Sequence, residues 1–266
     1  MIGLCKLFSM INNDKAYHSG NSELFTVSDE TQCQARKYEQ TDIDFTLAYF
    51  SKGFNITLFP AFNGTAKNIL ELSYNAFDNI LCAWLSELPL EREIAAFGGK
   101  IFSILKTDRG FEEKRTAAEK ETQNRLDPDT LAVLKAMAKV YREIERMMGL
   151  LRFSPDSEGG FTARCRPDHF VLPALGEYFT SRFGGAPWKV IDEKRRLCLG
   201  RRNGEKQKIS FLKEEETAEK IKPDDEWEEL WKHYHKTINN EDRDNPDLQR
   251  QLMPKRYWQF LPEIEK

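Results

Sequence analysis

The chain has no pair of cysteines at CxxC spacing, and its five cysteines, Cys5, Cys33, Cys82, Cys165 and Cys198, are odd in number and scattered. That pattern argues against the disulfide framework that staples small secreted domains, and it leaves reduced thiols in a cytoplasmic setting as the expectation. A CxxxCxxC triplet is missing too, so no iron–sulfur cluster of the radical type is expected on this chain, and no cofactor is expected from its motifs. Histidine is sparse, with four residues in all. No apolar run approaches the roughly 20 residues of a membrane-spanning helix, so no membrane association is expected. The opening MIGLCKLFSM passes at once into the polar INNDK without a small-residue cleavage pattern, and reads as no signal peptide. Charge of one sign is also lacking. With 40 Lys+Arg against 43 Asp+Glu the formal net charge is −3, so any nucleic-acid site has to be local.

What is present is an ordinary globular balance, with 40% hydrophobic and 31% charged residues, and 266 residues suffice for one large or two modest domains. Residues 1–40 show neither helical nor strand period and read as a loose arm. Ile43, Phe45, Leu47 and Tyr49 alternate, and after Ser51-Lys52-Gly53 so do Ile56 and Leu58, which predicts a β-hairpin. Apolar residues spaced at three and four predict helices over 66–86 and 91–106. The charged run 108–125 predicts an exposed helix or linker. Asp127 followed by Pro128 is an N-cap with proline at the first helical position, so a long helix should run over 128–148 and end at Gly149.

A second hairpin is expected from residues 150–166, then a helix over 172–183. Three short antiparallel strands follow at 188–192, 196–202 and 208–213, with Asn203-Gly204 as a hairpin turn. The helix near 226–239 carries Trp227, Leu230, Trp231, Tyr234 and Ile238 on one face, which is expected to be buried. In the tail, Pro246 and Pro254 forbid one long helix.

Residues 161–213 hold 12 Lys+Arg against 5 Asp+Glu. A hairpin bearing Arg195, Arg196, Arg201 and Arg202 suits phosphates, although nine carboxylates between Glu214 and Glu229 are equally suited to fold over it. In the tail, Arg250, Lys255 and Arg256 stand beside Trp258, a mixture of cations and aromatics that suits unstacked bases. Trp258 in a proline-bounded tail is more often a core plug, at about two to one. Glu143, Asp168 and His169 are the acid/base candidates; ion pairing along the helix explains Glu143 more simply, and a cap ahead of the next helix explains Asp168. Cys165 and His169 make too few ligands for a zinc site by themselves.

The tail residues Asn245, Pro246, Leu248, Gln249, Gln251, Met253, Pro254, Arg256, Tyr257, Trp258, Leu261 and Pro262 resemble, in order and spacing, a bacterial family described as probable DNA metabolism proteins. Arg142-Glu143 through Arg152-Phe153, the Pro167-Asp168-His169 turn, and Trp188 to Gly200 with Asp192 and Arg195 are similar to it as well. The resemblance spans roughly 130–262. It implies a role in DNA modification or repair beside a radical S-adenosylmethionine protein, some relatives being fused to a uracil-DNA glycosylase. That inference is one of association, not of chemistry on this chain. Residues 1–60 do not match the pattern, and Glu145 stands where a histidine is expected.

The expected fold is α+β: an antiparallel sheet in the C-terminal half flanked by helices, with an N-terminal hairpin and helical layer. The expected divisions are the arm 1–40, a hairpin-plus-helices segment 41–125 and a family-like domain 126–266. The leading functional expectation is a DNA-binding accessory to the radical enzyme, with Arg195, Arg196, Arg250, Lys255, Arg256 and Trp258 as the contacts. The alternatives are an enzyme acting on a nucleobase or nucleotide, and a protein-only partner of the radical enzyme.

Overall fold

A computed structural model describes residues 2–12, 38–62, 64–212, 226–238 and 245–264. The expected arm lies largely in 13–37, and most of the acidic stretch in 213–225, outside the described residues. The chain divides into two compact units, one ending at Tyr141 and the other running from Arg142 to the C-terminus together with Phe50–Lys52.

The first unit is helical: α1 (Leu4–Ile11), α2 (Gln40–Tyr49), α3 (Thr65–Leu72), α4 (Tyr74–Leu85), α5 (Glu91–Leu105), α6 (Phe111–Thr122) and the first part of α7 (Pro128–Leu150). The N-terminal hairpin expected over 43–58 is instead α2 followed by two short 3₁₀ turns. The alternation misled because α2 is buried around most of its circumference: Asp42, Ile43, Phe45, Thr46, Leu47 and Tyr49 are all inside. A helix enclosed on most sides need not display a 3.6 period. Phe45 stacks on Phe62 with ring centroids 3.8 Å apart, and Phe8 on Phe77 at 5.5 Å.

Part of the expected loose arm is α1, whose own cap residue, Gly3, has no side chain to offer. Asp42 supplies the cap, accepting from the Leu4 and Cys5 amides at 3.1 and 3.3 Å. The single helix expected over 66–86 is broken at Ser73, whose extended backbone and Oγ, 3.0 Å from the Ala76 amide, start α4. Asp127 caps α7 as expected, 2.8 Å from the Thr130 amide. Burial raises the Asp127 carboxyl, but Lys100 and Thr130 outweigh it and bring the group down to about 2.

The second unit carries β1 (Phe153–Pro155), β2 (Phe161–Cys165), α8 (Leu172–Phe183), β3 (Trp188–Asp192), β4 (Leu197–Arg201), β5 (Lys208–Phe211), α9 (Glu226–Ile238) and α10 (Pro246–Leu252). The strands form one sheet in the order β1-β2-β3-β4-β5. All neighbouring pairs are antiparallel except β2 and β3, which are parallel. Strand periodicity did not reveal that pairing; it follows from α8, since parallel neighbours need a crossover long enough to return the chain to the same edge.

Side chains alternate across the sheet. Ala163, Val190, Leu199 and Ile209 stand in register on one face and are all buried. Trp188 points the same way, its ring 5.9 Å from Phe179 of α8. Thr162, Lys189, Gly200 and Lys208 make a row on the opposite face. α7 continues through Gly149 to Leu150, two residues further than expected. The aromatic face of α9, expected to be buried, has Leu230 56% and Tyr234 51% exposed. Helical periodicity marks an apolar face without saying what covers it. The tail behaves as its prolines predict: α10, capped by Asn245, is followed by a 3₁₀ segment, Lys255–Phe260, in which Tyr257 is buried.

Candidate functional site

Glu143, only 2% exposed on α7, is a point of convergence. The Pro167-Asp168-His169 turn links β2 to α8, and its Asp168 and His169 amides donate to the two carboxylate oxygens at 2.8 and 2.7 Å. The Tyr257 hydroxyl donates to the same carboxylate. Arg256 bridges outward, its guanidinium 2.8 Å from the Asp168 carboxylate, 3.9 Å from Glu143 and 2.9 Å from the Tyr257 hydroxyl. Burial, and then the adjacent Glu143 charge, push the Tyr257 phenol well up, so it stays a donor at neutral pH.

Arg195 reaches this turn from the β3–β4 connection. Its side chain is 3% exposed and lies inside the turn, away from the hairpin's surface. Nη1 is 2.7 Å from the fully buried Asp192 carboxylate and 3.2 Å from the Pro167 carbonyl, and Nη2 is 2.9 Å from the Asp168 carbonyl. Lys194 also donates to that carbonyl. The three acid/base candidates and two of the nucleic-acid candidates, Arg195 and Arg256, therefore meet in one cluster. The Glu143 oxygens are occupied by backbone and phenol donors, which makes this carboxylate an anchor for the turn and the tail. Replacing it with glutamine keeps the volume and removes the charge; the expected loss is about 1–3 kcal/mol in urea unfolding, because one of the turn amides then faces a donor.

Cys165 is fully buried, and burial followed by the Asp192 charge push its thiol well up, so it is held as a thiol that donates to the Ile191 carbonyl at 3.5 Å. Among the described residues no group of three or more metal-binding side chains occurs.

The remaining candidates lie elsewhere. Arg196 is exposed at the start of β4, in the left-handed region with φ 53°. Arg250 pairs with Asp247 one turn earlier in α10. Lys255 lies 5.8 Å over the Trp258 ring, whose indole donates to the Met253 carbonyl at 2.7 Å and so closes the tail on itself.

A cationic feature that residue spacing did not single out lies on the sheet face opposite α8. Here a groove of about 280 Å³ is lined by Lys189, Gly200, Arg202, Lys208 and the Arg201 backbone, with Asp156 and Glu158 at its edge. Gly200 floors it; a Cβ there would stand 3.0 Å from the Trp188 carbonyl oxygen, so the floor between the two lysines is bare backbone. Lys189 is 3.8 Å from Asp156, and Lys208 is 4.0 Å from Glu205 with 67% of its side chain exposed. Arg201 donates to the Glu205 and Gly184 carbonyls at 3.0 and 2.5 Å, contacts that position it without cancelling its charge. Asp156 is committed to its own turn, accepting from the Gly160 amide at 2.7 Å and the Thr162 hydroxyl at 3.1 Å. Strand alternation was the available signal, because Lys189 and Lys208 come together only once β3, β4 and β5 are set in register.

A family model described as a domain of unknown function, DUF4130, matches residues 99–263, more than half of the chain. The chain belongs to the DUF4130 family. The match begins about thirty residues before the expected resemblance and encloses all of it, so the Glu143 cluster, the sheet and the tail are family territory. No curated protein and no solved structure matches the chain.

Proposed function

We propose that the DUF4130 domain of this protein binds DNA through the face of its sheet opposite α8 and serves as an accessory to a separate radical S-adenosylmethionine enzyme of DNA modification or repair. The observation that carries the reading is the groove around Gly200, where Lys189 and Lys208 flank bare backbone and Arg202 stands beside them, with Asp156 and Glu158 at the rim. Phosphate contacts of this kind supply most sequence-independent affinity. Arg196, Arg250 and Lys255 are further exposed cations for the same polyanion, whereas Arg195 and Arg256 act mainly by holding the turn and tail that shape the unit. The sequence has no cysteine triplet for a radical cluster, so that chemistry belongs to the partner.

Fluorescence anisotropy against a labelled single strand and a labelled duplex, over a salt series, tests this. Log affinity should fall linearly with log salt, with a slope of about −2 to −3 for the single strand if three or four cations engage phosphates. Absence of binding to either at low salt sinks the DNA reading. Co-purification of the radical enzyme without any DNA affinity would favour a protein-only partner.

A further inference from the structure

We propose that a second cavity of this unit, between β1, the C-terminal end of α8 and α9, receives a single unstacked nucleobase. The cavity is about 510 Å³ and is lined by Phe153, Phe161, Phe183 and Trp231, with Arg152 and Arg182 among the polar residues. That volume suits a small planar ligand. Its walls are rings: Phe153 and Phe183 have centroids 4.7 Å apart, and Phe161 stacks on Phe183 at 5.2 Å. Each of these phenylalanines is only half-buried, so part of each ring is left for another flat group.

The arginines differ in state. Arg152 is held by Glu263, with Nε 3.1 Å and Nη2 2.5 Å from its carboxylate, and its guanidinium lies 5.3 Å over the Trp231 ring. This cation fixes the indole from one side while Trp231 remains 38% exposed. Arg182 is exposed in the last turn of α8, where its charge is available to a phosphate. Stacking walls with a cationic rim fit a base carrying its phosphate; an aliphatic chain would use neither the planarity nor the charge.

The cavity lies on the α8 side of the sheet and the groove on the other side, and the two come nearest at the rim beside the β1–β2 turn. Gly160 lines the groove and its neighbour Phe161 lines the cavity. Arg201 of the groove reaches the Gly184 carbonyl, next to Phe183 of the cavity. A strand whose phosphates follow the groove would pass round this rim to place one base in the cavity. The inference rests on the DNA reading, which it deepens by naming single-stranded or locally opened DNA as the form recognised.

The test compares two single strands of equal length and phosphate count, one of thymidines and one abasic, bound to the full chain and to Trp231→Ala. The thymidine strand should bind more tightly. Trp231→Ala should weaken it by about 5- to 100-fold while leaving the abasic strand unchanged, the range for losing one stacking platform. Arg182→Glu, at an exposed position, should weaken the thymidine strand in the same sense and guards against a folding artefact at Trp231. Equal, salt-dependent affinity for both strands would overturn the base pocket and leave the groove standing. So would a Trp231→Ala effect that is nil or the same on both strands. Failure of both strands to bind at low salt would overturn the groove reading and this one with it.

Discussion

Arg195→Ala is expected to cost the fold about 3–5 kcal/mol, read as a lowered urea midpoint at unchanged slope. The substitution leaves the Asp192 carboxylate, 0% exposed at its side chain, without its ion-pair partner. It also removes Arg195's own hydrogen bonds to the Pro167 and Asp168 carbonyls, which brace the turn that docks on Glu143. The pH dependence follows from the direction of the Asp192 shift. Burial raises this carboxyl above its ordinary 3.8, while Arg195 and the Lys194 and Arg195 amides hold it down. A carboxyl raised in the folded state contributes fully below its unfolded value, and that contribution is lost as pH rises through the folded value. Without Arg195 the folded value climbs further. The gap between wild type and variant should therefore narrow as pH falls from 7 toward 4. A gap that is constant or widens over that interval would mean that Arg195 acts through packing alone. The double variant Arg195→Met/Asp192→Leu should recover only part of the loss: no charge is orphaned, but the Lys194 and Arg195 amides lose their acceptor.

The triple variant Lys189→Glu/Arg202→Glu/Lys208→Glu is expected to reduce the salt slope for single-stranded DNA by about 2 and the affinity at 0.05 M salt by about a hundredfold. The three residues project from strand or turn positions at the groove, and Lys208 is largely exposed, so the fold should tolerate the change. The corresponding change at Arg250 and Lys255 should have a smaller effect, because Arg250 already faces Asp247 and Lys255 lies over Trp258. A triple variant that binds like wild type would move the site off the sheet.

The clearest expectations from sequence were those with a local physical cause. Asp127-Pro128 starts α7 because an N-cap and a fixed φ need only adjacent residues. Asn203-Gly204 joins β4 and β5 because glycine accepts the positive φ of 75° that the turn requires. The 43–58 segment failed for the complementary reason: its alternating apolar residues are satisfied by enclosure inside a helical unit, and nothing local distinguishes that from a two-sided strand. The α9 face failed likewise, since amphipathicity specifies an apolar surface but not its cover.

For the candidate site, the sequence by itself determined the residue types: the carboxylates at 143 and 168, the arginines at 195 and 256, and a local excess of positive charge in residues 161–213. Tertiary structure alone decided their roles. It buried Arg195 against Asp192, set Arg256 on Asp168, filled the Glu143 oxygens with turn amides and a tail phenol, and brought Lys189 and Lys208 together across Gly200. The physical reason is that charge is a property of a residue, whereas its compensation depends on neighbours that are 25 to 114 positions away in the Glu143 cluster.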